Sequence, residues 1–234
     1  MKLIGNANAT CPNCGQHLDR MPGRKTKCPH CQHFMFVRTR PSDKQRVLVT
    51  EEEAEQIEEL WSIENGTHST YLARKKRVSE EKARLAKRFG REPSDNEVSW
   101  SILNQDMIEH ANQHNWGFFR IAKFEMAEIL RKESLLDRAL GAYLELCYID
   151  LNGPCNSGGV PEELLKEYPP WDTKHLGELA PGILKLISKI IKETKTSRSD
   201  VQALFFDRAN NVKDSLRLTV DVTKAWRQVQ KALF

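Results

Sequence analysis

Cys11-Pro12-Asn13-Cys14 and Cys28-Pro29-His30-Cys31 are two CxxC pairs with thirteen residues between Cys14 and Cys28. That spacing is the ligand pattern of a tetrahedral Zn(Cys)₄ site, in which each turn presents two thiolates to one ion. With sulfur at all four positions the site is closed, so Zn²⁺ would be structural, with no position left for a substrate. Gly15 follows the first pair and lets the backbone fold back so that amides approach the thiolates. Gln32 stands at the equivalent place after the second pair. His17, His30 and His33 are near enough in sequence to substitute as ligands and are read as bystanders. Two rival assignments use the same cysteines. Two disulfides would require an oxidising compartment, and the polar, charged start of the chain does not read as a signal peptide. A redox CxxC would sit in a βαβ pattern, which is missing around either pair.

The elements that must hold these ligands are short. About forty residues cannot bury much apolar surface, so the metal would supply most of the folding energy of the segment. Between the pairs, Met21-Pro22-Gly23-Arg24-Lys25-Thr26-Lys27 contains a turn signal at Pro22-Gly23. After them, Phe34-Met35-Phe36-Val37-Arg38-Thr39-Arg40 has strand composition and ends at Pro41. A ribbon of two or three antiparallel strands follows, with Phe34, Phe36 and Arg38 on one face. Aromatic and basic residues interleaved on a small sheet can stack bases and hold phosphates. Alternatively, Phe34 and Phe36 cover the metal or dock on the helical body.

Charge is uneven. Residues 1–46 carry nine Lys/Arg against Asp19 and Asp43, a surplus of seven, so the other 188 residues are net −3 within a chain total of +4. An anionic partner would therefore meet the ribbon, through Arg24, Lys25, Lys27, Arg38 and Arg40 with Phe34 and Phe36. Lys185 and Lys189 interrupt the longest apolar run, so no membrane helix is expected. The cysteine usage fits a reducing cytoplasm.

The rest reads as helices. Thr50 with Glu53, and Ser94 with Glu97, are capping boxes, and Asn65-Gly66 ends the first helix. Arg74-Lys75-Lys76-Arg77 precedes a second helix expected to start at Ser79 and stop at Gly90. This basic stretch reads as a phosphate-facing surface or as a partner for the Glu-rich helix before it. His110 and His114 are four apart on the next helix and lack the glutamate of HExxH, so a metalloprotease is excluded. Segments 118–133 and 135–150 form an expected helical hairpin like a single tetratricopeptide unit, its second member apolar nearly all round and therefore buried. Asp150-Leu151-Asn152-Gly153 matches the start of a calcium loop without its later ligands. Pro181, Ser197, and Thr219 or Asp221 open three further helices. The 182–194 and 199–212 pair reads as a plain hairpin, because Asp200, Gln202 and Phe206 are poor leaders for a DNA-reading helix.

The fold class is thus mainly α, with a small N-terminal β zinc ribbon and an α-helical bundle or hairpin domain. The expected divisions are a Cys₄ ribbon at 1–46, linker helices at 47–117 and a helical domain at 118–234. Three strings, Met21 to Cys31, Val37 to Pro41 and Val49 to Ala54, resemble the start of a group of uncharacterised bacterial and prophage-encoded zinc-ribbon proteins. Phe89 to Trp100 is also similar to a segment of that group. The resemblance covers roughly the first hundred residues. It implies a phage or mobile-element setting and carries over no activity. With no acidic cluster, Gly-rich phosphate loop or activated nucleophile in view, the expected role is non-enzymatic. In that role the ribbon binds DNA or RNA and the helical body binds a protein partner. The alternative is an assembly factor in which zinc only staples the N-terminus.

Overall fold

A computed structural model describes residues 3–234, which divide into two compact units, Met1–Glu80 and Glu81–Phe234. Lys2, counted in the basic surplus, lies outside the described residues.

The first unit is built on a three-stranded antiparallel sheet, β1 (Thr26–Lys27), β2 (Phe34–Thr39) and β3 (Arg46–Val49), in the order β1-β2-β3. Phe36 lies opposite Val49 and Arg38 opposite Val47. Residues directly opposite share a face, so one face carries Phe36, Val47 and Val49. Helix α1 (Glu51–Glu64) lays Ala54 and Ile57 against them. Met35 points the other way, into a small cluster with Cys11 and Cys28. Asn6 extends the sheet by exchanging two backbone hydrogen bonds of 2.8 Å with Leu48. Its neighbour must be glycine: Gly5 has φ +75°, and a Cβ there would lie 2.4 Å from a Val49 methyl. The sheet and α1 share one core, within the compact unit that runs to Glu80.

Thr50 and Glu53 form the expected capping box, and Gly66 takes φ +70° after α1. The next helix differs from expectation. There is no restart at Ser79; α2 runs unbroken from His68 to Phe89. No proline or glycine interrupts that stretch, and a capping residue caps only where the backbone leaves the helix. Several of its basic residues are matched with acids: Lys75 with Glu55 of α1, Lys82 with Glu92 and Arg84 with the buried Glu81. Of the two readings for this stretch, pairing with the Glu-rich helix is the one seen at Lys75.

The second unit contains α3 (Asp95–Asn112), α4 (Trp116–Lys132), α5 (Leu136–Leu151), one 3₁₀ turn at Glu162–Leu164, α6 (Pro181–Thr194), α7 (Arg198–Leu216) and α8 (Val222–Leu233). Helix α5 is its axis. Eleven of its sixteen residues are buried, and it packs on α4, α6, α7 and α8, while α3 lies on α4. Tyr143, Leu144, Tyr148 and Ile149 are wholly inside, with Phe205 and Trp226 from the helices around them. Asp150 accepts two hydrogen bonds from Arg120 of α4, at 2.7 and 2.9 Å. The calcium-loop residues are therefore used inward: Asp150 neutralises Arg120, and Asn152 bonds backbone on both sides of it.

Candidate metal centre and the basic loop beside it

The two CxxC turns are the same structure repeated seventeen residues apart. In the first, the Cys11 amide donates to the Gln16 carbonyl at 2.9 Å and the Gly15 amide to the Cys11 carbonyl at 3.0 Å. In the second, the Cys28 amide donates to His33 at 2.9 Å and the Gln32 amide to Cys28 at 3.0 Å. Gly15 and Gln32 both adopt the left-handed conformation this turn requires, with φ +72° and +61°. The Asn13 amide points at the Cys11 sulfur, 3.4 Å away.

β1 and β2 bring the turns face to face. All four sulfurs lie within 4.8 Å of one another, with Cys11 and Cys31 at 3.8 Å and Cys14 and Cys28 at 3.9 Å. Four sulfurs around an ion at the ordinary Zn–S distance of about 2.3 Å would be separated by about 3.8 Å, so the cluster fits a tetrahedral thiolate site. None of the six cysteines is in a disulfide. Among the described residues this is the one group of three or more His, Cys, Asp or Glu side chains arranged to hold a metal. The expected ligands Cys11, Cys14, Cys28 and Cys31 come together as a candidate metal site, and His17, His30 and His33 are exposed outside it.

The thiols do not share their environment evenly. The Cys31 and His30 amides stabilise the Cys28 thiolate against burial and bring its pKa down to about 6. At Cys14 the Gln16 amide acts the same way, but burial and the thiols of Cys11, Cys31 and Cys28 outweigh it and push the pKa up to about 12. Thiolates this close repel one another, and a divalent cation removes that repulsion. With sulfur at all four positions, the arrangement could hold an ion and order backbone, and it offers no open position to a substrate.

The seven residues expected to meet nucleic acid separate into two groups. Three of them are already engaged within the unit, Arg38 at its surface and Arg40 and Phe36 inside. Arg38 donates twice to Glu58 of α1, at 3.2 and 2.8 Å. Arg40 is only 5% exposed and donates to Asp43, Gln45 and the Ile4 carbonyl. Phe36 is core. The other four gather at the β1 edge. Lys25 Nζ lies 4.5 Å from the centre of the Phe34 ring and 4.4 Å from that of Phe36, and Lys27 Nζ lies 5.2 Å from Phe34. Phe34 is 47% exposed. Arg24 precedes them in the loop, where Arg46 pins the chain by donating to the Gly23 carbonyl at 2.5 Å. Arg20 joins this group: with Arg24 and Lys27 it lines a shallow cavity of about 520 Å³. Its place there had no sequence signal beyond its charge. Among the described residues, Arg20, Arg24, Lys25 and Lys27 have no carboxylate within ion-pair distance.

The remaining histidines and cysteines form no second metal cluster among the described residues. Helix α3 ends at Asn112, so His114, at φ +55°, lies past the helix and shares no helical face with His110. Cys147 is enclosed in the core, and burial raises its pKa. Cys155 donates to the Pro169 carbonyl at 2.7 Å, Trp171 stacks on Trp116 at 4.8 Å, and His175 is exposed beside Asp172.

Comparison with protein-family models, curated proteins and solved structures gives no match for this chain. Among the described residues no helix is long and apolar enough to cross a membrane.

Proposed function

We propose that the Met1–Glu80 unit is a zinc-stapled module that contacts nucleic acid through the loop between its knuckles. The observation that carries this is the division among the basic residues. Arg38, Arg40 and Lys44 are neutralised by Glu58, Asp43 and Glu64, whereas Lys25 and Lys27 lie over the exposed Phe34 ring, and Arg20 and Arg24 line with Lys27 a cavity whose one acidic residue, Asp19, makes no ion pair with them among the described residues. Cations in this state attract phosphates, and an exposed aromatic ring offers a face to a base. The contact is narrower than the sequence suggests: Arg24, Lys25, Lys27 and Phe34, joined by Arg20. Zinc is the ion the four thiolates suit, and its work is to hold the loop in place. The resemblance to prophage zinc-ribbon proteins favours a mobile-element setting.

Binding of a labelled oligonucleotide, followed by anisotropy across a salt series, tests the reading. Four cations neutralising phosphates should give a log–log salt slope of about −2.8 on a single strand and about −3.6 on duplex DNA. Changing Lys25 and Lys27 to Glu should abolish binding, while Arg38→Gln should leave the slope unchanged. Binding that has no salt dependence, or that is indifferent to Lys25 and Lys27, rejects the contact.

One observation favours the alternative, a protein-assembly factor with a structural ion. The same unit has a groove of about 590 Å³ floored by Ile4 and Ile57 and rimmed by exposed Leu3, Leu60 and Ile63. Exposed apolar patches mark interaction surfaces. A stoichiometric protein partner retained after nuclease treatment would favour this reading over the first.

A further inference from the structure

The helical unit carries a cavity unrelated to the metal centre. It has a volume of about 620 Å³ and is bounded by α3, α4, α5 and α7. Cavities of about 300–1,000 Å³ suit small organic ligands. Its floor is apolar. Met126, Ala127 and Leu130 of α4 share one helical face, and Trp100 and Met107 of α3 stand beside them. Methionine adapts its shape to a bound chain more readily than branched side chains do.

Charge at the rim is unbalanced. Lys123 and Glu145 form an ion pair with each other and cancel. Glu133 accepts a hydrogen bond from the neutral Asn96 and keeps its negative charge, so the five charged side chains of the lining sum to +1. Arg138 has no carboxylate within ion-pair distance among the described residues, and the only one near Arg208 is its own neighbour Asp207, at 3.7 Å. The two arginines occupy one wall. Arg208 lies over Gly141 of α5, where a Cβ would come within 3.1 Å of its Nε, and Arg138 is one helical turn before Gly141. Glycine in the middle of a buried helix costs up to about 1 kcal/mol relative to alanine, and here its missing side chain lets the guanidinium approach the helix. An apolar floor beneath a pair of like charges is complementary to a molecule with a hydrocarbon body and an anionic head.

We propose that this cavity binds a small amphipathic anion, its hydrocarbon body on Met126, Leu130 and Trp100 and its carboxylate between Arg138 and Arg208. The proposal is independent of the nucleic-acid reading. Decanoate and its uncharged counterpart decanol are suitable probes, titrated into the full-length zinc-loaded protein by calorimetry, with Trp fluorescence as a second readout. Decanoate should bind saturably, and decanol about tenfold or more weaker, the usual worth of a charge-assisted contact. The double change Arg138→Gln and Arg208→Gln, at exposed positions, should bring decanoate down to the decanol level. Met126→Trp should block both probes. Equal affinity for the two probes, no saturable binding, or full decanoate affinity in the folded arginine variant would overturn the proposal. Should Met126→Trp fail to fold, the arginine variant still decides.

Discussion

Gly15 and Gln32 occupy the same place in the two knuckles, in the same left-handed conformation, with different side chains. An L-residue with a Cβ is strained there by about 1–2 kcal/mol, and glycine is not. Gln32 recovers part of this through its side-chain amide, which donates to the Pro29 carbonyl at 3.1 Å. Gln32→Gly should therefore stabilise the metal-loaded unit, though by less than about 1 kcal/mol because glycine also gains freedom in the unfolded chain. Gly15→Ala should destabilise it by about 1 kcal/mol. Open space surrounds the Gly15 Cβ position, so the cost is conformational rather than steric. Chelator-competition titrations and thermal melts of the two variants would check the opposite signs. The ligands themselves were legible because a CxxC turn is local, with four residues determining where two sulfurs point. The fates of Arg38 and Arg40 were not. Arg38 finds its carboxylate twenty residues away on α1, and Arg40 is buried by the Ile4 carbonyl thirty-six residues before it. Composition counts such charges without showing which are already spent.

Element boundaries were legible where a cap is local. Thr50 with Glu53, Ser94 with Glu97, Pro181 and Ser197 all stand at helix starts. Ser79 carried the same kind of signal and is interior to α2, because no proline or glycine breaks the helix before it and the backbone never leaves the helix there. The end of α5 shows the reverse case, a polar residue whose value is entirely tertiary. Asn152 is fully buried. Its Nδ2 donates to the Tyr148 carbonyl at 2.8 Å, and its Oδ1 accepts from the Thr219 and Val220 amides at 3.2 and 3.1 Å. Tyr148 donates its hydroxyl to the Val220 carbonyl from the same helix. One side chain thus joins the close of α5 to the segment that leads into α8. Asn152→Ala would leave two partly buried amides without their acceptor, at about 1–3 kcal/mol each or less where water reaches them. The expected loss is about 2–4 kcal/mol, read as a lower denaturant midpoint. Asn152→Asp keeps the acceptor and should lose less than Asn152→Ala; equal losses would show that the Thr219 and Val220 bonds are not what the residue contributes.

The two units differ in what holds them. Glu81–Phe234 has an extensive core centred on α5, which includes Tyr143, Tyr148, Phe205 and Trp226. Met1–Glu80 has two small clusters, one of Phe36, Val47, Val49, Ala54 and Ile57 beneath α1, the other of Met35, Cys11 and Cys28 at the metal centre. A module that buries so little needs a cross-link, and a structural metal provides one by binding only the folded arrangement of its thiolates. Removing the ion should therefore act on one unit and spare the other. Treatment with a strong chelator should remove amide protection from Cys11, Cys28 and β2 and collapse the salt-dependent oligonucleotide contact. Amides of α5 should keep theirs, and most of the far-ultraviolet helical signal should persist. Cys28→Ser should reproduce the pattern without chelator, since three thiolates and a hydroxyl grip the ion far less well. Hydrogen exchange resolved by peptide would read both results at once. Joint loss of protection across α5 would mean that the helical core does not stand by its own packing. Undiminished protection in β2 would mean that apolar contacts alone hold the ribbon.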